Sequence, residues 1–330
     1  MISDAHIDLN GLTVIAGENN TGKSTVGKLL FSMVKAFNMT MGRRRFMETA
    51  KQEVTLKRVL SLVFDQYACP GAEVSVGANN SDLYSMKINQ TGWMDITGTL
   101  ANLNFYDATY LESPVVWSLV DFFKAVGLLR DQDEMYGFAS EIKYPYLLWD
   151  TYQKLELEKP FNFEKEDEYQ AIEDYIQKTV GGKISRQVGK FLFTRDFDGV
   201  DFPVTTVATG IKSFGLLQVL VKNRHINPNS IVIIDEPEVH LHPKWEVDFA
   251  YVISCLVKLG VNVVVTTHSV YMVKALREFS KDTPDKVKFY LSHQTDGAHS
   301  MFEDVTGQTH KIFKKFADPL QDIVWGKPNV

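Results

Sequence analysis

The stretch "LTVIAGENNTGKSTVGKLLFSMVKAF", residues 12–37, restricts what this chain can fold into more than any other. Leu12 to Ala16 is a short apolar run with β-branched residues, the pattern of a buried strand. Gly17 to Ser24 then match G-x-x-x-x-G-K-[ST]. Val26, Leu29, Leu30, Met33, Val34 and Phe37 recur at helical spacing. Strand, glycine-rich loop and helix in that order make a P-loop, a cradle for phosphate. The glycines at 17 and 22 let the backbone curl so that N–H groups point inward, and the helix N-terminus adds partial positive charge. Lys23 is predicted to reach the β- and γ-phosphates of a nucleotide, Ser24 to ligate Mg²⁺ and Thr25 to donate to the α-phosphate. The expected nucleotide-binding residues are Gly17, Asn20, Thr21, Gly22, Lys23, Ser24 and Thr25.

A second stretch, "SIVIIDEPEVHLHPKW", puts three carboxylates and two histidines within a few positions. Ile231 to Ile234 are β-branched and follow a Pro/Asn-rich turn, as in a central strand. Asp235 falls at the C-terminal end of that strand, where ligands of open α/β sheets bind. Beside a P-loop this is the Walker B position. Asp235 is then expected in the Mg²⁺ shell, and Glu236 is expected to orient and deprotonate the attacking water. The competing reading is a metal cage of carboxylates with His240 and His242. The two histidines share a face only on a strand, and Pro237 and Pro243 favour an irregular loop. His240 then reads as a half-exposed loop residue, and His242 as a shaper of the loop or a contact to a dimer partner.

A third apolar run, Val261 to Val265, ends at Thr266, Thr267, His268 and Ser269, and a helix follows. A histidine after an apolar strand is most often structural. One strand beyond a Walker B, however, is where a γ-phosphate-sensing histidine belongs, and His268 is assigned that role beside Glu236.

The order of these motifs resembles ABC-type ATPase heads. Within that class "DEPEVHLHP" and "TTHSVYMV" resemble the OLD-like (overcoming-lysogenization-defect) ATPases, relatives of SMC- and RecF-type heads, many of which accompany nucleases in bacterial anti-phage systems. The resemblance covers about residues 10–40 and 204–320. It implies an α/β P-loop NTPase fold: an ABC-ATPase head with a central, mostly parallel sheet, a small antiparallel β subdomain and a helical insertion. It implies ATP and Mg²⁺ as cofactors. It also implies that "ATGIK", Ala208 to Lys212, stands in for the signature loop, with Thr209 and Gly210 facing the nucleotide of a second subunit. Phe214, Leu217 and Leu220 after it fit a helix whose start could bind an anion. The other reading of this segment is a plain capped helix. Thr209 replaces the common serine and Ile211 the second glycine. A homodimer or higher homo-oligomer is implied.

Other nucleotide-binding classes fit less well. No N-K-x-D guanine-reading motif and no L-S-G-G-Q occur. The halves of the site at 1–43 and 196–330 are separated by an insertion, 44–195. Its alternating part, about 70–112, is the candidate antiparallel sheet, and about 114–180 reads as a helical lobe. "YLESP", 110–114, is the candidate Q-loop. "GRRRF", 42–46, with Lys51, Lys57 and Arg58, could touch a nucleic-acid backbone or be a solvated helix start. The formal net charge of −6 gives no global attraction to nucleic acid. Cys69 and Cys255 form no C-x-x-C, which fits a reducing compartment. No leader and no run of 18 apolar residues is present, so a cytoplasmic protein without membrane contact is expected. Full-length OLD proteins continue into a Toprim nuclease domain, and no such continuation is found. A nuclease is therefore expected as a separate effector protein. The alternatives are a RecF-like DNA-binding repair ATPase and a non-hydrolysing, nucleotide-dependent scaffold.

Overall fold

The computed structural model describes residues 2–41, 49–64, 71–78, 81–91, 94–98, 105–136, 143–159, 165–295 and 299–324. The basic run 42–46 and Cys69 lie outside these residues. In chain order the first elements are β1 (Ile2–Ala5), β2 (Leu12–Gly17), α1 (Lys23–Met41), α2 (Thr49–Phe64), β3 (Glu73–Ala78), β4 (Ser81–Ile88), β5 (Met94–Gly98) and β6 (Asp107–Leu111). There follow α3 (Val120–Tyr136), α4 (Tyr146–Glu156), α5 (Glu166–Val180), β7 (Gly182–Gln187), β8 (Lys190–Arg195), β9 (Asp201–Pro203) and α6 (Thr209–Lys222). The chain ends with β10 (Ser230–Asp235), α7 (Pro243–Lys258), β11 (Asn262–Thr267), α8 (Val270–Phe279), β12 (Val287–Gln294), β13 (Ser300–Asp304) and α9 (His310–Val324).

A seven-stranded sheet in the order β1-β13-β12-β2-β11-β10-β6 forms the centre. All its pairs are parallel except β12–β13. The apolar runs of the sequence become its buried strands, because both faces are covered. In β10, Ile231 and Ile233 point to one layer with Phe31 and Val34 of α1. Val232 and Ile234 point to the other, with Phe249 and Ile253 of α7. A strand buried on both faces carries no polar alternation. The architecture is the α/β head expected from the motifs.

β3-β4-β5 is the expected antiparallel sheet. Its Met86, Ile88 and Ile96 pack on Met33 and Phe37 of α1 and on Leu56 and Leu60 of α2, so it flanks the P-loop helix. Two differences from the sequence reading have physical causes. "DATYL", grouped there with the antiparallel strands, is β6 of the central sheet and pairs parallel with β10. It is buried from Ala108 to Leu111, as a two-sided strand must be. Its first residue, Asp107, sits in a buried ionic cluster with Lys35 of α1 (3.5 Å) and Lys154 of α4 (3.5 Å). The second difference is a further antiparallel sheet, β7-β8-β9. Its hairpin turns at Val188 and Gly189, both with positive φ (47° and 74°). Such a turn ordinarily takes Asn-Gly, and valine hides the signal.

Candidate functional site

Strand β2 delivers the chain into the P-loop at Gly17. A Cβ there would collide with the hydroxyl and carbonyl of Ser292 on β12, so this crossing requires glycine. Asn20 and Gly22 are left-handed (φ 63° and 87°), which bends the loop back toward α1. Thr21 clamps the bend: its hydroxyl is 2.7 Å from Ser292 Oγ and donates to Glu18 O at 2.9 Å. Lys23 opens α1 and is buried. Its Nζ donates to Gly17 O (2.9 Å) and Glu18 O (2.7 Å) and lies 3.7 Å from Glu236 Oε1. Burial lowers the Lys23 pKa, and Glu236, Asp235 and Glu238 oppose that shift. Thr25 is exposed on the first turn of α1.

The sheet order brings the second motif to the first. β11 lies between β2 and β10, so Thr266, Thr267 and His268 stand between the P-loop and Asp235. Asp235 Oδ1 accepts from Ser24 Oγ at 2.9 Å and from Thr266 Oγ1. Its Oδ2 accepts from the Tyr110 hydroxyl at 2.8 Å. Burial, and then the Asp235 charge, push the Tyr110 phenol far above its ordinary pKa, so it remains a donor. Glu236 has φ 49°, a left-handed conformation rare for a side chain of this size. Its N–H bonds Thr266 O at 3.0 Å, and its Oε1 is 3.5 Å from His268 Nδ1.

Thr209 and Gly210 begin α6, and Ala208 before them provides no side-chain cap. A Cβ on Gly210 would lie 2.5 Å from the Trp245 ring, so this helix start rests on the segment after Asp235. Among the described residues no hydrogen bond or ion pair joins Thr209 or Gly210 to the P-loop. His242 caps α7, its Nδ1 accepting from Lys244 N at 3.2 Å. His240 is exposed and left-handed (φ 73°). Among the described residues no group of three or more His, Cys, Asp or Glu is arranged to hold a metal ion. "YLESP" lies at the C-terminal end of β6, next to β10, and Glu112 Oε1 accepts from Lys28 Nζ at 3.1 Å. Sequence reasoning missed the contacts of Ser292, which carries no motif, and of Tyr110, which it placed only at the start of "YLESP". It also left Glu238 and Thr266 without roles, although both stand inside stretches it singled out.

Among solved structures, the chain is similar to an SMC head bound to the C-terminal winged-helix domain of ScpA. The TM-score is 0.51 at 11% identity, with 92% of this chain and 93% of that chain covered. It is also similar to the SMC head domain from Thermotoga maritima, with a TM-score of 0.45 at 14% identity, covering 91% and 92%. At such identities the likeness concerns the fold alone. No curated protein matches. No helix among the described residues is long and apolar enough to cross a membrane. One family model, described as "AAA domain, putative AbiEii toxin, Type IV TA system", matches residues 99–274, just over half of the chain. With the P-loop and the carboxylates facing each other across β11, the chain belongs to this family of AAA ATPase domains.

Proposed function

We propose that this protein binds Mg·ATP and hydrolyses it to ADP and phosphate. The observation that carries the reading is the Ser24–Asp235 contact at 2.9 Å, formed across 211 residues of chain beside a buried Lys23. A hydroxyl and a carboxylate are hard oxygen donors of the kind Mg²⁺ takes together with phosphate oxygens. Ser24 and Asp235 would hold the ion, which neutralises charge on the β- and γ-phosphates. Lys23 exchanges the carbonyls of Gly17 and Glu18 for phosphate oxygens. Backbone N–H groups from Gly17 through Gly22, with Asn20 and Thr21 shaping the bend, surround the phosphates, and Thr25 donates to the α-phosphate. Water attacks the γ-phosphorus, the bond to the β-phosphate oxygen breaks, and Glu236 takes the proton from water. His268 faces the γ-phosphate.

In this reading two copies close over two nucleotides, and Thr209 and Gly210 of each complete the site of the other. Closure controls a separate cytoplasmic effector such as a nuclease, in anti-phage defence. The family description, which gives the matched domain as a putative toxin of a toxin–antitoxin system, supports action together with a partner protein. Glu236→Gln is expected to keep ATP bound while slowing turnover by about 100-fold or more. Lys23→Ala is expected to weaken nucleotide binding itself. ATP affinity by calorimetry and phosphate release test both; parental turnover in Glu236→Gln removes its role as base.

A further inference from the structure

Glu238 is the third carboxylate of the acidic stretch, and the hydrolysis described above uses only the first two. It lies three residues beyond the end of β10, in a loop, yet its side chain is only 5% exposed. One oxygen, Oε1, gathers the end of β11. It accepts from Thr267 Oγ1 at 2.7 Å and from the backbone N–H of His268 at 2.7 Å, and it lies 3.3 Å from His268 Nδ1. The other oxygen, Oε2, is buried without a hydrogen-bond partner among the described residues. Burial drives the Glu238 pKa up, and the donors at Oε1 and His268 act against it. A serine or asparagine could pin a loop at smaller desolvation cost. A half-satisfied buried carboxylate calls for a reason beyond loop stability.

The reason lies in what it faces. His268 Nδ1 has two carboxylate oxygens before it, Glu238 Oε1 at 3.3 Å and Glu236 Oε1 at 3.5 Å. An unprotonated Nδ1 would set its lone pair against theirs, so the ring proton belongs on Nδ1 and Nε2 is left for another partner. The side chains of Glu236 and His268 are themselves 30% and 44% exposed. Neither is locked by packing, whereas Glu238 is. The backbone joins in: Leu241 N bonds Glu238 O at 2.9 Å, and Val239 N bonds Glu236 O at 3.1 Å. Glu238 thus ties the loop that carries Glu236 to the loop that carries His268. We infer that Glu238 is the positioning residue that orients the His268 ring, selects its Nδ1–H tautomer and sets its separation from Glu236. The inference rests on Glu236 and His268 being the hydrolytic pair.

Two measurements test it. The first needs no nucleotide: ¹⁵N NMR of the full chain at pH about 8.5, well above the ordinary histidine pKa, with His268 assigned by loss of its signals in His268→Gln. The Nδ1–H tautomer is expected in the parent, and a shift toward the Nε2–H form that free histidine prefers in Glu238→Ala. An Nε2–H ring in the parent, or an unchanged Nδ1–H ring in Glu238→Ala, overturns the inference. The second is kinetic. Glu238→Ala is expected to lower kcat about tenfold with KM for ATP within about twofold. Glu238→Gln, which keeps an acceptor for Thr267 and His268 N–H and so preserves the loop, is expected to lower it less. Combined with His268→Gln, either change should cost nothing further, as for residues acting as one unit. Multiplicative losses would overturn the inference, since Glu238 would then act independently of the ring. If the parent turns over no ATP, the hydrolytic reading fails, and the tautomer measurement still decides whether Glu238 holds the ring.

Discussion

Tyr110 shows how far one atom can matter. Its hydroxyl is the donor to Asp235 Oδ2, deep under the first turn of α1. Tyr110→Phe keeps the ring and strands a buried carboxylate oxygen, at an expected cost of about 1–3 kcal/mol in urea unfolding. The freed carboxylate should also raise the Mg²⁺ concentration that turnover requires, read by titrating Mg²⁺ at saturating ATP. Unchanged stability together with an unchanged Mg²⁺ requirement would deny Tyr110 both roles. His225 reports on pH. It is buried, bonded through Nε2 to Leu157 O at 2.7 Å, and burial lowers its pKa from 6.5 to about 4. Between those values the unfolded chain binds the proton and the folded chain does not, so stability falls as pH drops from 6.5 toward 4. The full effect is about 3 kcal/mol. Denaturation of the parent and of His225→Gln at pH 7 and pH 4.5 isolates it: the parent should lose more stability than the variant between the two.

Elements place these residues, and small sequence choices place the elements. The β7–β8 hairpin turns on Val188, a fully exposed β-branched residue held at φ 47°. Val188→Asn removes strain and no packing, so it should stabilise the protein by about 1 kcal/mol, seen as a higher unfolding midpoint in urea. No gain, or a loss, would mean that this turn is not strained. The same hairpin shows why part of the fold was illegible in the sequence. The turn residue that nature ordinarily uses is missing, although Phe191 and Phe193 alternate as a one-sided strand should. β6 was misplaced for a related reason: five residues of strand propensity do not say which sheet they join. Burial on both faces and the ionic anchor at Asp107 decide that, and neither is local.

At the scale of the molecule, the prediction concerns whether one chain or two build the nucleotide site. Thr209 and Gly210 open α6 on Trp245, with no bond to the P-loop of their own chain among the described residues. If they serve a second copy, complementation follows. Chains carrying Lys23→Ala mixed equally with chains carrying Thr209→Glu form heterodimers with one intact composite site, giving up to about a quarter of parental turnover. Thr209 is the better position for this test, because any side chain at Gly210 strikes Trp245 and would confuse misfolding with a lost contact. Inactivity of mixtures in which heterodimers are shown to form would argue for a site built within one chain.

The sequence alone determined the P-loop, the strand that ends at Asp235, the strand before His268 and the α/β class with its central, mostly parallel sheet. Each rests on contiguous residues: a loop's glycines, a strand's β-branched run, a helix's period. The assembly of the site was decided only in three dimensions. Asp235 meets Ser24 across 211 residues and Tyr110 across 125, because the order β2-β11-β10-β6 lays those strand ends side by side. The same holds for "DEPEVHLHP". As a string it allowed a metal cage, since composition names possible ligands without directing them. The fold turns Asp235 to Ser24, Glu236 and Glu238 to His268, and His242 to the start of its own helix.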